Sequence, residues 1–472
     1  MSRRIKACPA RCRVGRVSLF FHHGTWWLYY RSQGLQIRRR AARIRSEAEQ
    51  IAAQVNAQLA TGAPTLVAFT PVAVPHLRQQ FLDYHEHVLK SSLATIRRYR
   101  AATQHLEAFA VSQRKPPLAH EVQAEAFAAH LRAVEVAPNG HPHSQRRKLR
   151  DKGVLFILET CRALYAFAAK RRHLPPYAGN PFAELPLERL KIEDAKPVFV
   201  FDADSELAFF HAVSTWGWPI QFTLAKTGLR VGELVHLLIE DVDLEGGWLH
   251  VRNKVALGWR VKTGTERAVP LLPEVGDVLR GVIGTRTSGP VFLRERFTKG
   301  DTPVLVGDRA ALERICQQRQ QACGQRLSRT EVLSIARAIW REAGAVKADA
   351  VRMAFVRAMR AIGRPEATCP KSWRHTFATL LQDANVDPLI RQITLGHRPS
   401  TGSGLGMTAL YTHTRPETQR QQIERALRRW PRSLALAQSR LVQVDVAGNG
   451  FDPNTAPTPL RRRQAEPQRP RY

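Results

Sequence analysis

CPKSWRHTFATLLQDANVDPLIRQITLGH, residues 369–397, followed after a glycine-rich connection by MTALYTHTRPE, residues 407–417, is the stretch from which the rest can be read. Lys371 and Arg374 are three residues apart and share a helix face, while His375, Phe377, Leu380 and Leu381 alternate between that face and a core. His397 follows a short helix that ends at Leu395-Gly396. Tyr411 falls between TGSGLG, residues 401–406, and a helix introduced by Thr414 and Pro416, so its hydroxyl is not expected in a core. Of eight tyrosines it alone has this setting.

Two further polar knots lie upstream. In TLAKTGLRVGELVHLLIEDVDL, residues 223–244, Gly228 and Gly232 flank Arg230 at the start of a helix bearing Leu234, Leu237 and Leu238. Arginine offers a planar fork of donors that matches two phosphate oxygens. Glu233, three residues on, is placed to hold that guanidinium. The second knot is a hairpin, GWLHVRNK then VALGWR then VKTGTERAVPL, which puts Lys262 at the edge of a Thr-Gly turn where its long stem could swing a proton donor into a groove.

Taken together, TGLRVGEL, KTGTERAVPL, WRHTFATLL, LGH and ALYTH resemble, in order and spacing, the catalytic domain of tyrosine recombinases, the phage-integrase family. The resemblance covers residues 197–430 as a catalytic domain. It implies a mechanism without metal, nucleotide or other cofactor. Tyr411 would be the nucleophile on a backbone phosphate, Arg230 and Arg374 would clamp the nonbridging oxygens, Lys262 would protonate the leaving 5′-oxygen, and His397 would donate to the phosphate. The partners so implied are double-stranded DNA bearing specific recombination sites and a homotetramer on paired sites. Two features depart from the family pattern. Lys371 stands where histidine is usual, as a third cation on the phosphate or as a base, and the stretch from His397 to Tyr411 is longer than usual by several residues.

Working towards the amino terminus, residues 72–190 read as an all-helical module, with Leu93, Ile96, Tyr99, Leu106 and Phe109 on one stripe. Basic residues rim it: Arg97, Arg98 and Arg100 beside the stripe, and Arg146, Arg147 and Lys148 in SQRRKLRDK. The pattern is similar to the family's core-binding domain. Residues 1–64 read as three strands and a helix, with Arg38, Arg39 and Arg40 on the last strand. That unit resembles the arm-binding modules of some integrases. PLERLKIEDAKP reads as a linker, residues 431–472 as a basic disordered tail, and PETQRQQIERALRRW, residues 416–430, as an amphipathic helix that either docks on a neighbour or packs on its own domain. The expected architecture is multidomain and mainly α, with small β-sheets.

Composition agrees with a polyanion partner. Lys and Arg total 72 against 40 Asp and Glu, a formal charge of +32 that repels itself unless neutralised. No apolar run approaches the roughly 20 residues needed to span a bilayer. The basic start is followed by alternating aromatic and polar residues rather than the apolar run of a signal peptide, so a cytoplasmic location is expected. Six scattered cysteines make no disulfide framework, and Cys8, Cys12, His22 and His23 fit no common zinc spacing, so no metal is expected. The alternative to an enzyme is a DNA-binding protein that keeps the recombinase scaffold, and a topoisomerase would use the same chemistry without partner exchange.

Overall fold

The computed structural model describes residues 11–32, 35–61, 70–137, 143–175, 179–194, 197–298, 305–324, 326–397 and 414–446. The chain divides between Lys196 and Pro197 into two compact units.

The first unit opens with an antiparallel sheet in the order β1-β2-β3-β4: β1 Arg11–Val14, β2 Val17–His22, β3 Thr25–Ser32 and β4 Leu35–Ala42. Helix α1, Arg45–Ala60, covers one face, and Val17, Leu19, Leu28 and Tyr30 meet Ile51 and Val55 in a small core. The sheet has four strands where three were expected. The added β1 is RCRV, whose arginines hide its alternation, but Cys12 and Val14 pack against the core while Arg11 and Arg13 point away. Gly15, at φ +57°, closes that hairpin, and a Cβ there would meet Asn56 Oδ1 at 2.1 Å. The register aligns Arg11, Phe20, Trp27 and Arg40 in one row across the face opposite α1, and Arg13, Ser18, Tyr29 and Arg38 in the next. Arg39 belongs to the α1 side, yet it is exposed on the edge strand.

The rest of this unit is helical: α2 Val74–Asp83, α3 Leu93–Val111, α4 Ala124–Ala133 and α5 Asp151–Lys170, with a two-residue ribbon of β5 Glu135–Val136 and β6 Arg147–Lys148. Ile96, Leu106 and Phe109 of α3 are buried. Leu106 and Phe109 pack with Phe127 of α4 and with Leu158 and Leu164 of α5, so this core is separate from the one under the sheet.

The second unit runs through α6 Ala203–Ala212, α7 Gly217–Thr227, α8 Val231–Leu234, the sheet β7 Val242–Asp243, β8 Trp248–Val251 and β9 Arg267–Pro270, and α9 Pro273–Ile283. There follow α10 Arg309–Ala322, α11 Arg329–Glu342, α12 Ala348–Ala361, α13 Lys371–Asp383, α14 Pro388–Leu395, α15 Pro416–Leu427 and α16 Pro431–Val446. Its core is aromatic. Trp373 of α13 is fully buried, stacks on Phe201 at 3.8 Å and 7°, and meets Phe209 edge-on at 4.9 Å. Such ring pairs each add about 0.5–1.5 kcal/mol beyond the area they bury. The indole N–H donates to Gln221 Oε1 of the buried α7 at 3.0 Å, which fixes the rotation of α13 against α7. Helices α10 and α11 form a hairpin with a smaller core around Leu312, Cys316, Ile339 and Trp340.

Two expectations about the carboxyl-terminal part are corrected. Residues 431–446, expected to begin a disordered tail, form α16, with Leu434 and Ala437 buried in the main core and Ser433 Oγ accepting from the buried Lys226 Nζ at 2.9 Å. The apolar residues of SLALAQSRL recur at helical spacing and are enough to hold it there. The apolar face of α15, which could have docked on a neighbour, is spent on its own unit, since Ile423, Ala426 and Leu427 lie in the same core.

Candidate functional site

The site is assembled from three chain reversals around the amino-terminal half of α13. Helix α7 ends at Gly228 in the left-handed region, φ +61°, where a Cβ would also lie 2.5 Å from Phe377 Cδ1. Glycine is required there by both backbone and space. The reversal delivers Arg230 to the start of α8. Helix α14 ends likewise at Gly396, φ +64°, where a Cβ would come within 2.9 Å of Arg267 Cδ. That turn delivers His397, whose own N–H donates to Gln392 O at 3.0 Å. The third reversal joins β8 to β9 and carries Lys262.

Between these turns lies one buried carboxylate with two guanidiniums on it. Glu233 Oε1 accepts from Arg230 Nη1 at 2.7 Å and from Arg267 Nη1 at 3.1 Å, while Oε2 accepts from Arg267 Nη2 at 2.6 Å and from the Arg230 N–H at 3.0 Å. Arg267 also donates through Nε to Thr394 O at 2.8 Å, tying β9 to α14. Burial alone would raise the Glu233 carboxyl, but Arg267 and then Arg230 more than offset it and hold it below the usual carboxylate range. The carboxylate is therefore charged at neutral pH.

Arg374 faces the same space from α13. Its guanidinium donates to Gly228 O at 2.8 Å and to Leu395 O, so it clamps the ends of both glycine-terminated helices, and Nη2 lies 3.1 Å from His397 Nε2. With arginine the donor, Nε2 is the acceptor and the imidazole proton sits on Nδ1. Burial, and next the charge of Arg230, bring the Arg374 guanidinium down to about 10, still a full cation at neutral pH. Burial, followed by Arg374, Arg230 and Arg267, presses His397 below its ordinary range, so the ring is neutral at pH 7.

Three guanidiniums around one carboxylate leave two positive charges without a counter-charge. Arg374 and Arg267 are buried, Arg230 is about a quarter exposed, and His397 is exposed, so the group opens to solvent on one side. Guanidiniums held in place by backbone carbonyls and a buried carboxylate form a pre-set receptor for an anion, because their orientation costs nothing when the anion arrives. A phosphodiester fits that receptor in charge and in the spread of its oxygens.

The structure thus brings Arg230, Glu233, Arg374 and His397 together. Lys371, the first residue of α13, and Lys262 are both exposed, and among the described residues no hydrogen bond or ion pair ties either to that group. Tyr411 lies outside the described residues. Arg267 was missed by sequence reasoning although KTGTERAVPL contains it. Its one signal was the alternation of β9, in which Arg267, Val269 and Leu271 share a direction and a charged residue stands in a buried row.

The basic candidates of the first unit are exposed: Arg38, Arg39 and Arg40 on β4, Arg97, Arg98 and Arg100 on α3, Arg146, Arg147 and Lys148 at β6. Arg38 stands over the Phe20 ring at 4.7 Å, Arg98 over Phe156 at 4.1 Å, and Arg40 Nη2 donates to Thr25 Oγ1 at 2.7 Å. These arginines are pre-oriented by aromatic faces. Among the described residues no three His, Cys, Asp or Glu side chains converge as metal ligands would. No helix there is long and apolar enough to cross a membrane.

Residues 220–418 match the model of the phage integrase family. Among curated proteins, the chain is similar to tyrosine recombinase XerC of Thermodesulfovibrio yellowstonii, 26% identical over 230 residues that make 48% of this chain and 60% of the relative. It is also similar to tyrosine recombinase XerA of Pyrococcus furiosus, 26% identical over 207 residues, 44% of this chain and 53% of the relative. The chain therefore spans about half the length of the curated relatives it matches. Among solved structures it is similar to the Tn1549 transposon integrase in complex with a circular intermediate DNA, at 19% identity and TM-score 0.48, covering 75% of this chain and 99% of that one. A lambda integrase dimer bound to a core site gives 15% identity and TM-score 0.45, covering 84% and 96%. By its residues 220–418 the chain belongs to the phage integrase family.

Proposed function

We propose that this protein is a site-specific DNA recombinase that cuts and rejoins strands through a 3′-phosphotyrosyl bond at Tyr411. The observation that carries the reading is the receptor of Arg230, Arg267 and Arg374 around one carboxylate, with His397 beside it. In the cleavage step the Tyr411 oxygen bonds to phosphorus as the 5′-oxygen leaves with a proton from Lys262. Arg230, Arg374 and His397 hold the nonbridging oxygens while charge builds on them. Such donors are each worth about 10²–10³-fold in rate in a preorganised site. One phosphoester replaces another, so rejoining by a 5′-hydroxyl reverses the step without ATP or metal. Exchange between two duplexes breaks four strands, and a homotetramer supplies one tyrosine for each. We place the protein in the cytoplasm, where it meets DNA. The direct test is a nicked duplex carrying its site, on which the protein should trap as a covalent adduct with Tyr411 as the modified residue. A protein that only binds DNA would give no adduct.

We assign nonspecific grip to the first unit, through the arginines of the sheet face opposite α1 and the rims of α3 and β6. Each phosphate neutralised contributes about 0.9 to the slope of log affinity against log salt on duplex DNA. Deleting residues 1–64 should flatten that slope, measured by titration at several salt concentrations, and leave cleavage at a core site intact. An unchanged slope would remove the sheet from the DNA contact.

Lys371 we assign as a third cation on the phosphate, because it is exposed at the start of α13, one turn from Arg374, with its ammonium free to reach an anion. Loss of one such donor should slow single-turnover cleavage by roughly 10²-fold. Lys371→Arg should accordingly keep more activity than Lys371→Gln. Equal activity of the two variants, or a rise in rate through pH 6 to 8 that vanishes with Lys371, would instead mark it as a base.

A further inference from the structure

Nothing in the receptor reaches Lys262, so something else has to aim it. The lysine lies on a turn in which the Gly264 N–H donates to Val261 O at 2.8 Å, with Gly264 at φ +77° and Val261 in the main core. One residue across the hairpin, Asn253, holds this turn at three points. Its Oδ1 accepts from the Val261 N–H at 2.9 Å, its Nδ2 donates to Gly264 O at 3.1 Å, and its own N–H donates to Glu266 Oε1 at 2.7 Å. The amide thus pins the backbone on both sides of Lys262, and the Glu266 contact pins the strand that leaves the turn.

The intervening residues are held from the other side. Lys254 and Trp259 exchange backbone hydrogen bonds at 3.0 and 3.1 Å, and the Trp340 indole of α11 donates to Leu257 O at 3.0 Å. Gly258 sits so close to α11 that a Cβ would meet Leu333 Cδ1 at 2.7 Å. With the hairpin α10–α11 as a fixed floor, Asn253 is the remaining link between that floor and the lysine turn.

We propose that Asn253 is a positioning residue for Lys262, setting the turn from which the lysine reaches the leaving 5′-oxygen. The proposal rests on the reading of Lys262 as the proton donor. An amide suits the task because one end accepts and the other donates, matching an N–H at Val261 and a carbonyl at Gly264. A shift of about 1 Å in a catalytic group can cost 10²-fold in rate.

The test uses full-length protein and a duplex in which sulfur replaces the 5′-bridging oxygen at the scissile phosphate, since a thiolate leaves without a proton. On ordinary DNA, Asn253→Ala should slow cleavage by up to about 10²-fold, and DNA affinity and Tm should change little. On the sulfur substrate its rate should recover to near that of the unsubstituted protein, as that of Lys262→Ala should, whereas Arg374→Ala should stay slow. Gly264→Ala, which strains the same turn at positive φ, should show the same rescue and keeps the idea testable if Asn253→Ala folds poorly. Adding Asn253→Ala to Lys262→Ala should cost nothing more. Rescue of Lys262→Ala without rescue of either turn variant would overturn the role of Asn253 alone. No rescue of Lys262→Ala would overturn the reading of Lys262 and this inference with it.

Discussion

Tyr411→Phe abolishes the covalent adduct on a nicked duplex while leaving affinity for that duplex nearly unchanged. The substitution removes one oxygen and keeps the ring, and that oxygen is the only atom the reaction needs from this side chain. The receptor of Arg230, Arg374 and His397 does not depend on it, because each member is held by groups within the described residues: Glu233, Gly228 O, Leu395 O and the Gln392 carbonyl. Binding and cleavage should therefore separate cleanly, with the gel shift persisting and the adduct gone. Adduct recovered from the Phe variant, mapped to another residue, would take Tyr411 out of the mechanism.

Glu233→Gln produces the second large effect, and on stability as well as rate. The carboxylate is 3% exposed and is shared by Arg230 and Arg267, of which Arg267 is itself buried. Removing the charge leaves two guanidiniums facing each other, and breaking a buried pair from one side costs about 3–5 kcal/mol. For a unit of this size that corresponds to a fall in Tm of about 6–20 °C. Cleavage should fall as well, since Arg230 loses the partner that aims it. The pH dependence supplies a sign check. The folded Glu233 is held below its unfolded range, so its contribution is complete at neutral pH and is lost only as pH falls below about 4.3, through the folded value. The Gln variant should lose less stability than the parent protein between neutral pH and that acid range. A Gln variant as stable as the parent would show that the carboxylate is not what holds the two arginines.

How much of this could be read before the fold was known depends on the range of the interaction concerned. Lys371 and Arg374 on one face of α13, and Glu233 on Arg230, are three residues apart, and helical geometry alone puts such neighbours together. The stripe of Ile96, Leu106 and Phe109 is likewise a property of spacing, and all three are buried. The two glycines that end α7 and α14 could be named as breaks, but why they must be glycine could not, because the atoms they avoid belong to Phe377 and Arg267.

The misses are all contacts between distant parts of the chain. Arg267 reaches Glu233 across 34 positions and Arg374 reaches Gly228 across 146, and no local pattern encodes which segments will cross. Strand β1 exists because β2 offers it an edge, which its arginine-rich sequence does not advertise. Helix α16 was taken for a tail, yet Lys226 Nζ, buried 207 positions earlier, finds Ser433 Oγ. The sequence by itself determined the elements, their order and the residue types able to handle a phosphate. The tertiary structure alone decided which charges share a carboxylate, because charge pairing at this depth depends on desolvation and distance, and both are set only when the core closes.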